Sequence, residues 1–472
     1  MIDALRIQYL IGRRAVALVV AAAVLGVPAG VMRILCVGGT CEPRDEAPSK
    51  TPFCSLPDDV RRLLERGTYD GRSPDIVAVT GSSLVWGGDA FGQKSSGPLW
   101  PSTALPDNER VPLVFAGTGV REGAKLPSGS GLDDVSETIA TIIDLRRPHP
   151  DVRSGNALEG VETGERPRLV LEVVWKGIGS NDLERRPEAW PQLRRLMRRG
   201  AATTDAVVGS LPLDPAATLA TIGTGGLPSH HGVIGTTLRR DVALSSSTSG
   251  AGSAGKIVRA WDAPSFATVI ATLSDHLDEK LKQEPKIGLI GTDRSDRGLI
   301  GGNWYELSDR DTVVTLGRAA SAREQVSAVR ALLREGNFGR DQITDLAGVV
   351  LPGRVRKLDK VLGRVVKAAS RASRRSAAVV VTATGANHSG RAEKALKADT
   401  LRKELERSIP SPEPVVEALV PGGLYLDQHA LARLELSDDA VLSKLLTMRS
   451  ASGNRLLADA FPSIAINFGR YC

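Results

Sequence analysis

Groups able to do chemistry in this 472-residue chain concentrate where hydroxyl, carboxylate and imidazole side chains fall beside glycine turns. The stretch Ser210–Gly235 is the richest. Pro212 and Pro215 fix φ near the helical value and suit a helix start. Asp214 and Thr218 flank Pro215, and an Ala/Leu/Thr run follows that is long enough for two or three turns. Thr224-Gly225-Gly226 then stops the helix, glycine supplying the left-handed cap. The free N–H groups at such a start, near Ala216, make an anion-binding site. His230 and His231 are adjacent, so their side chains point apart and one metal ion rarely takes both; His231 reads as a scaffold hydrogen-bonder. Asp293 and Asp296 at a strand end would suit acid–base work, with a solvated turn as the plainer reading. The chain has no Gly-x-Ser-x-Gly elbow and no Gly-Lys-Ser phosphate loop.

The elements that must position these groups alternate. Short apolar runs bounded by Gly or Pro predict buried strands at Asp75–Thr80, Val111–Ala116, Arg168–Val174, Lys286–Gly291, Asp345–Leu351 and Ala377–Thr382. Helices are predicted at Pro57–Arg66, Trp190–Gly200, Pro264–Leu281, Gln325–Glu335 and Val355–Arg371. Alternation of this kind implies an α/β fold, with a mainly parallel central sheet and helices on both faces. Ligands in such sheets sit at the carboxyl ends of the strands, here Lys176, Asp293, Pro352, Thr384 and Trp100. At 4% aromatic content the core must be aliphatic. A net charge of +7 is mild for this length and reads as a solvated basic surface, with no nucleic-acid partner. The helix Val355–Arg371 sets Arg356, Lys357, Lys360, Arg364, Lys367 and Arg371 opposite Leu358, Leu362 and Val365. Its default is a solvated outer face, and attraction to anionic lipid heads is the alternative.

Residues Ala15–Met32 are almost wholly apolar and follow Arg6, Arg13 and Arg14. About 18 such residues just span a bilayer, and the basic flank puts the N-terminus in the cytoplasm. A cleaved secretion signal ending near Val27-Pro-Ala29 is the competing reading. The expected organisation is a cytoplasmic N-terminus and signal anchor at 1–35, a cysteine-containing tether at 36–56, and one α/β domain at 57–472. Outside the cytoplasm, Cys36, Cys41, Cys54 and Cys472 allow two bridges in three connectivities. The expected pairs are Cys36–Cys41 and Cys54–Cys472, the second tying the domain's ends together.

The pattern Thr224-Gly-x-x-Pro228-x-x-His231-Gly-x-x-Gly235, after a Pro-led Ala/Leu helix, resembles the alkaline phosphatase superfamily. The type I phosphodiesterase/nucleotide pyrophosphatase branch is the nearest in pattern. Pro191–Ala201 resembles the family's first helix. Pro112–Leu158 resembles the family's C-terminal end, yet it comes first here. A circular permutation is therefore expected, 57–162 matching the family's C-terminal part and 163–472 its N-terminal and middle parts. A small independent N-terminal domain is the alternative.

The resemblance implies a hydroxyl nucleophile at the helix start and two zinc ions held by about six Asp/His ligands. The matching positions depart from this. Lys176 stands where the family has a metal-binding Asp, and Pro215 where it has the nucleophile. Pro352-Gly-Arg354, Ala383-Thr384-Gly385 and Trp100-Pro101 stand where further ligands are expected. The zinc pair is therefore expected to be absent, leaving no cofactor, no metal ligands and no catalytic residues. Lys176, Asp214, Pro215, Ala216, Thr218, Thr384, His388 and Trp100 remain as candidates for a ligand pocket. The implied function is an exported, membrane-anchored, catalytically degenerate phosphodiesterase-like protein that binds an anionic ligand or an envelope partner. The alternatives are an active hydrolase with a site rebuilt from Asp214, Thr218 or His388, and a structural envelope protein.

Overall fold

The computed structural model describes residues 52–80, 84–86, 109–240, 256–261, 268–302, 304–305, 309–317, 319–386, 394–396, 398–409, 411–420, 422–449, 457–469 and 472. The expected anchor, most of the tether, Cys36, Cys41, Trp100 and His388 lie outside them. Among the described residues no helix is long and apolar enough to cross a membrane.

The strands of the two larger sheets are β1 (Ile76–Thr80), β2 (Arg110–Gly117), β3 (Leu169–Lys176), β4 (Gly200–Val207), β5 (Ile287–Gly291), β6 (Thr312–Thr315), β7 (Asp345–Pro352), β8 (Ala377–Ala383), β9 (Val416–Val420), β10 (Gly423–Leu426) and β11 (Leu457–Pro462). The main helices are α1 (Asp58–Arg66), α2 (Asp134–Ile142), α3 (Pro191–Arg198), α4 (Pro215–Thr224), α5 (Leu273–Lys280), α6 (Ala322–Glu335), α7 (Val355–Ala372), α8 (Ala398–Ser408) and α9 (Asp438–Thr447). The central sheet runs β4-β2-β8-β3-β7-β5-β6. Its pairs are parallel from β8 to β6, whereas β2 is antiparallel to both β8 and β4. Strands β3, β7 and β8 are Val/Leu/Ala-rich because both of their faces are covered. One face carries α6, with Leu332 and Phe338 against Gly288. The other carries the 3₁₀ turn Arg294–Leu299, with Leu299 and Ile300 against Gly348, and α4 lies on that turn.

Three expectations are corrected. Residues 76–80 do not join the central sheet; β1 sits between β10 and β11 in a second, antiparallel sheet, β9-β10-β1-β11. Its own core includes Ile76, Leu401, Leu405, Leu424, Val441 and Leu445. The helix expected from Pro264 begins instead at Leu273. Thr272 and Asp275 form a reciprocal cap there, Asp275 N donating to Thr272 Oγ1 (3.2 Å) and Thr272 N to Asp275 Oδ2 (2.7 Å). Strand β4 was not foreseen; it is an edge strand with a half-buried middle, Thr203 to Asp205.

Cys54 and Cys472 are bridged, Cα atoms 5.3 Å apart and 418 residues apart in sequence. Phe53 packs edge-on to Phe461 beside the bridge. Replacing Cys472 by serine is expected to lower stability by about 2–5 kcal/mol, read as a lower urea midpoint in non-reducing buffer. Glu172 gives a second test. It lies buried on β3 between Val380 and Gly348, and burial pushes its carboxyl up to about 8. An unfolded glutamate ionises at about 4.3. Across that window the native state holds a proton the unfolded state has lost, so stability falls as pH rises. Glu172→Gln removes this dependence. The stability of the variant relative to wild type should grow by a few kcal/mol between about pH 4 and pH 8; parallel curves would refute the assignment.

Candidate functional site

The carboxyl end of β3 is where the parallel strands aim. Lys176 ends that strand, and its ammonium donates to Asp296 Oδ1 at 2.6 Å. The lysine side chain is 11% exposed and the aspartate wholly buried. Asp296 Oδ2 also accepts from Thr292 N (2.7 Å), Thr292 Oγ1 (3.0 Å) and Asp293 N (3.1 Å). These donors replace the water that a buried carboxylate gives up. The solvated turn expected for Asp296 is thereby corrected: the turn is buried because Gly298 and Leu299 pack against Ala220 and Gly223 of α4. Asp293 instead caps the turn, Oδ1 accepting from Ser295 N (3.0 Å) and Oγ (2.9 Å).

All ten residues of α4 are buried. Asp214 caps its start, Oδ1 accepting from Ala216 N (2.8 Å) and Thr236 Oγ1 (3.0 Å). Burial raises the Asp214 carboxyl, while these hydrogen bonds and nearby Lys176 oppose the shift. Thr218 Oγ1 donates back to Asp214 O at 3.2 Å. Pro215, Ala216 and Thr218 are buried, and the N–H of Ala216 is already taken, so the helix start does not present the open anion site expected of it. Thr384 is buried too; its Oγ1 accepts from Gly177 N at 2.8 Å, and its own N–H donates to Trp175 O at 3.1 Å. It stitches β8 to β3. Asp214 lines a narrow surface cleft bounded by Thr68, Ser73, Pro212, Gly235 and Val420.

The other end of α4 is held by a residue that sequence reasoning missed. Arg147 is buried, and its guanidinium donates to Thr224 O (2.8 Å), Ala271 O (3.3 Å), Ser136 Oγ (2.8 Å), Glu137 Oε1 (2.6 Å) and His276 Nδ1 (3.0 Å). Burial brings it down to about 10, and a cation at a helix C-terminus is favourably placed. His231 acts as the scaffold group its position suggested. Val233 N donates to Nδ1 (3.0 Å), so Nε2 carries the proton and faces Thr221 Oγ1 (3.0 Å). Burial drops this imidazole to about 3, so it stays neutral.

Residues 170–276 match the type I phosphodiesterase / nucleotide pyrophosphatase family, from β3 through α4 into α5. The match is a likeness, over those residues, to a branch of the alkaline phosphatase superfamily. It spans under a quarter of the chain and contains Lys176, Asp214 and His231. Among solved structures, wild-type alkaline phosphatase PafA is 16% identical with a TM-score of 0.46, over 61% of this chain and 77% of that one. Phosphonoacetate hydrolase from Sinorhizobium meliloti 1021, solved with phosphonoacetate, is 15% identical with a TM-score of 0.31, over 57% and 73%. No curated protein matches the chain.

The pairing of Lys176 with Asp296 is testable without knowing the function. Lys176→Met leaves Asp296 buried without its cation and should cost about 3–5 kcal/mol in urea unfolding. Adding Asp296→Asn to that variant should recover at least half of the loss. A double variant no more stable than the single one would show that the two charges are not coupled.

Proposed function

We propose that this chain is a phosphodiesterase-like protein that has lost metal-dependent hydrolysis and works by binding. The observation that carries this reading is the ammonium of Lys176 at the carboxyl end of β3, paired with Asp296 at 2.6 Å. The family resemblance puts a metal-ligating aspartate at that strand end. An ammonium there repels a divalent cation and offers it no lone pair. The carboxylates on hand are already committed, Asp296 to the lysine and Asp214 to the helix cap. The hydroxyl of Thr218 is buried and bonded to its own helix. Among the described residues no three His, Cys, Asp or Glu side chains are grouped as a metal site. The donors among the described residues do not fit a zinc pair.

The reading extends to place and topology. The N-terminal apolar segment anchors the chain in a membrane, and the folded part stands outside the cytoplasm, where the Cys54–Cys472 bridge persists. The chain order is a circular permutation of the superfamily fold. What supports this is that β2, which precedes every parallel strand in sequence, lies inside the central sheet beside β8. Because Asp296 already neutralises Lys176, an anion gains little at the end of β3, and an envelope partner on the outer surface becomes the favoured occupant over a small anion in the former active site.

The test is metal content and turnover on the purified full chain. Elemental analysis should find well under one zinc per chain, and a chromogenic phosphodiester should be hydrolysed no faster than in buffer. About two zinc ions per chain together with turnover would overturn the reading.

A further inference from the structure

Helices α3 and α7 lie side by side on the outer surface. Asp359 of α7 accepts from the α3 N–H groups of Gln192 (3.1 Å) and Leu193 (2.9 Å), so one helix caps the other. Asp359 is the only acidic residue of α7, it is buried in this role, and α3 has none. The outward face is left entirely cationic. Along α7 the exposed residues Arg356, Lys360, Arg364, Lys367 and Arg371 recur every three or four positions. Exposed Arg195 and Arg198 of α3 extend the row sideways. Among the described residues the one acidic side chain that pairs with any of these is Glu188, with Arg356 at 3.4 Å. These seven exposed cations, of nine on the two helices, match in number the net charge of the whole chain, +7.

We infer that this face rests on anionic lipid headgroups of the membrane that holds the chain. The charges are spread along a helix of 18 residues, about 27 Å long, rather than gathered round a pocket. That distribution suits a flat, repeating anionic surface. None of the exposed large apolar side chains among the described residues lies on α3 or α7, so the face has no platform for stacking bases. The contact is therefore electrostatic and shallow. Residues 36–52 separate the apolar segment from the folded part and reach up to about 60 Å when extended. That length lets the domain lie on this face. The inference borrows from the proposed function only the presence of a membrane, and it holds whether or not the chain hydrolyses anything.

The experiment uses the full chain in nanodiscs of phosphatidylcholine alone or with added phosphatidylglycerol, under brief lysine acetylation read by mass spectrometry. Lys360 and Lys367 should be acetylated several-fold more slowly with phosphatidylglycerol present, and high salt should abolish the difference. Exposed Lys282 and Lys444 should be unaffected. Arg364→Glu with Arg371→Glu should remove the protection, circular dichroism confirming the fold. Equal rates in the two discs with the chain inserted would overturn the inference, as would protection by an oligonucleotide or an acidic protein and not by lipid. If the chain does not enter the discs, the anchored reading fails by itself. Phosphatidylglycerol vesicles added to the same protein then decide the inference, slower labelling upholding it and unchanged labelling overturning it.

Discussion

A helix with all ten residues buried has nowhere to send its end groups except into the protein. This constraint on α4 organises the middle of the molecule. At the start, Asp214 supplies the acceptor and Pro215 removes one donor that would otherwise need a partner. At the end, Gly225 takes the left-handed turn, and Arg147 donates to the carbonyl of Thr224. Arg147 also reaches α2 and the segment before α5, so the helix end, two neighbouring elements and one buried cation settle together. Along its length α4 touches the Arg294–Leu299 turn backbone to backbone: a Cβ on Gly223 would lie 2.3 Å from Gly298 O. That closeness carries Asp296 to Lys176.

The same constraint bears on chemistry. A buried helix start whose first free N–H is filled by its own cap has that donor satisfied within the protein. A buried ion pair at the end of β3 is likewise a weak contributor to net stability but a costly one to break. In both arrangements polar groups at the ends of buried elements face each other, Asp214 to Ala216 and Lys176 to Asp296. A fold need not keep its chemistry to keep its shape.

How much of this was legible depended on distance along the chain. The cap residues Pro215 and Gly225 and the apolar strands β3, β5, β7 and β8 act locally, and each was readable from a few neighbouring residues. The Cys54–Cys472 pair was readable because few cysteines were available. Strand β4 was not, because an edge strand with one open side shows no continuous apolar run. Asp296 and Arg147 were not, because their partners lie far away in sequence: Lys176 is 120 residues from Asp296, and Arg147 draws on segments near 136, 224, 271 and 276. The antiparallel sheet was missed for the same reason, β1 having neighbours only from the last sixty residues.

Those neighbours also set a timetable. During synthesis β1 emerges early, but Gly423–Leu426 and Leu457–Pro462, which hydrogen-bond its two edges, begin 343 and 377 residues after its end at Thr80. At about 5–20 residues per second, this five-residue apolar strand waits tens of seconds with both edges open. Strand β2 waits in the same way for β8 and β4. High contact order of this kind slows folding and leaves edges able to pair with other chains. Folding of the whole domain is therefore committed only near the end of translation, and the nascent chain depends until then on whatever shields unpaired strands in its compartment.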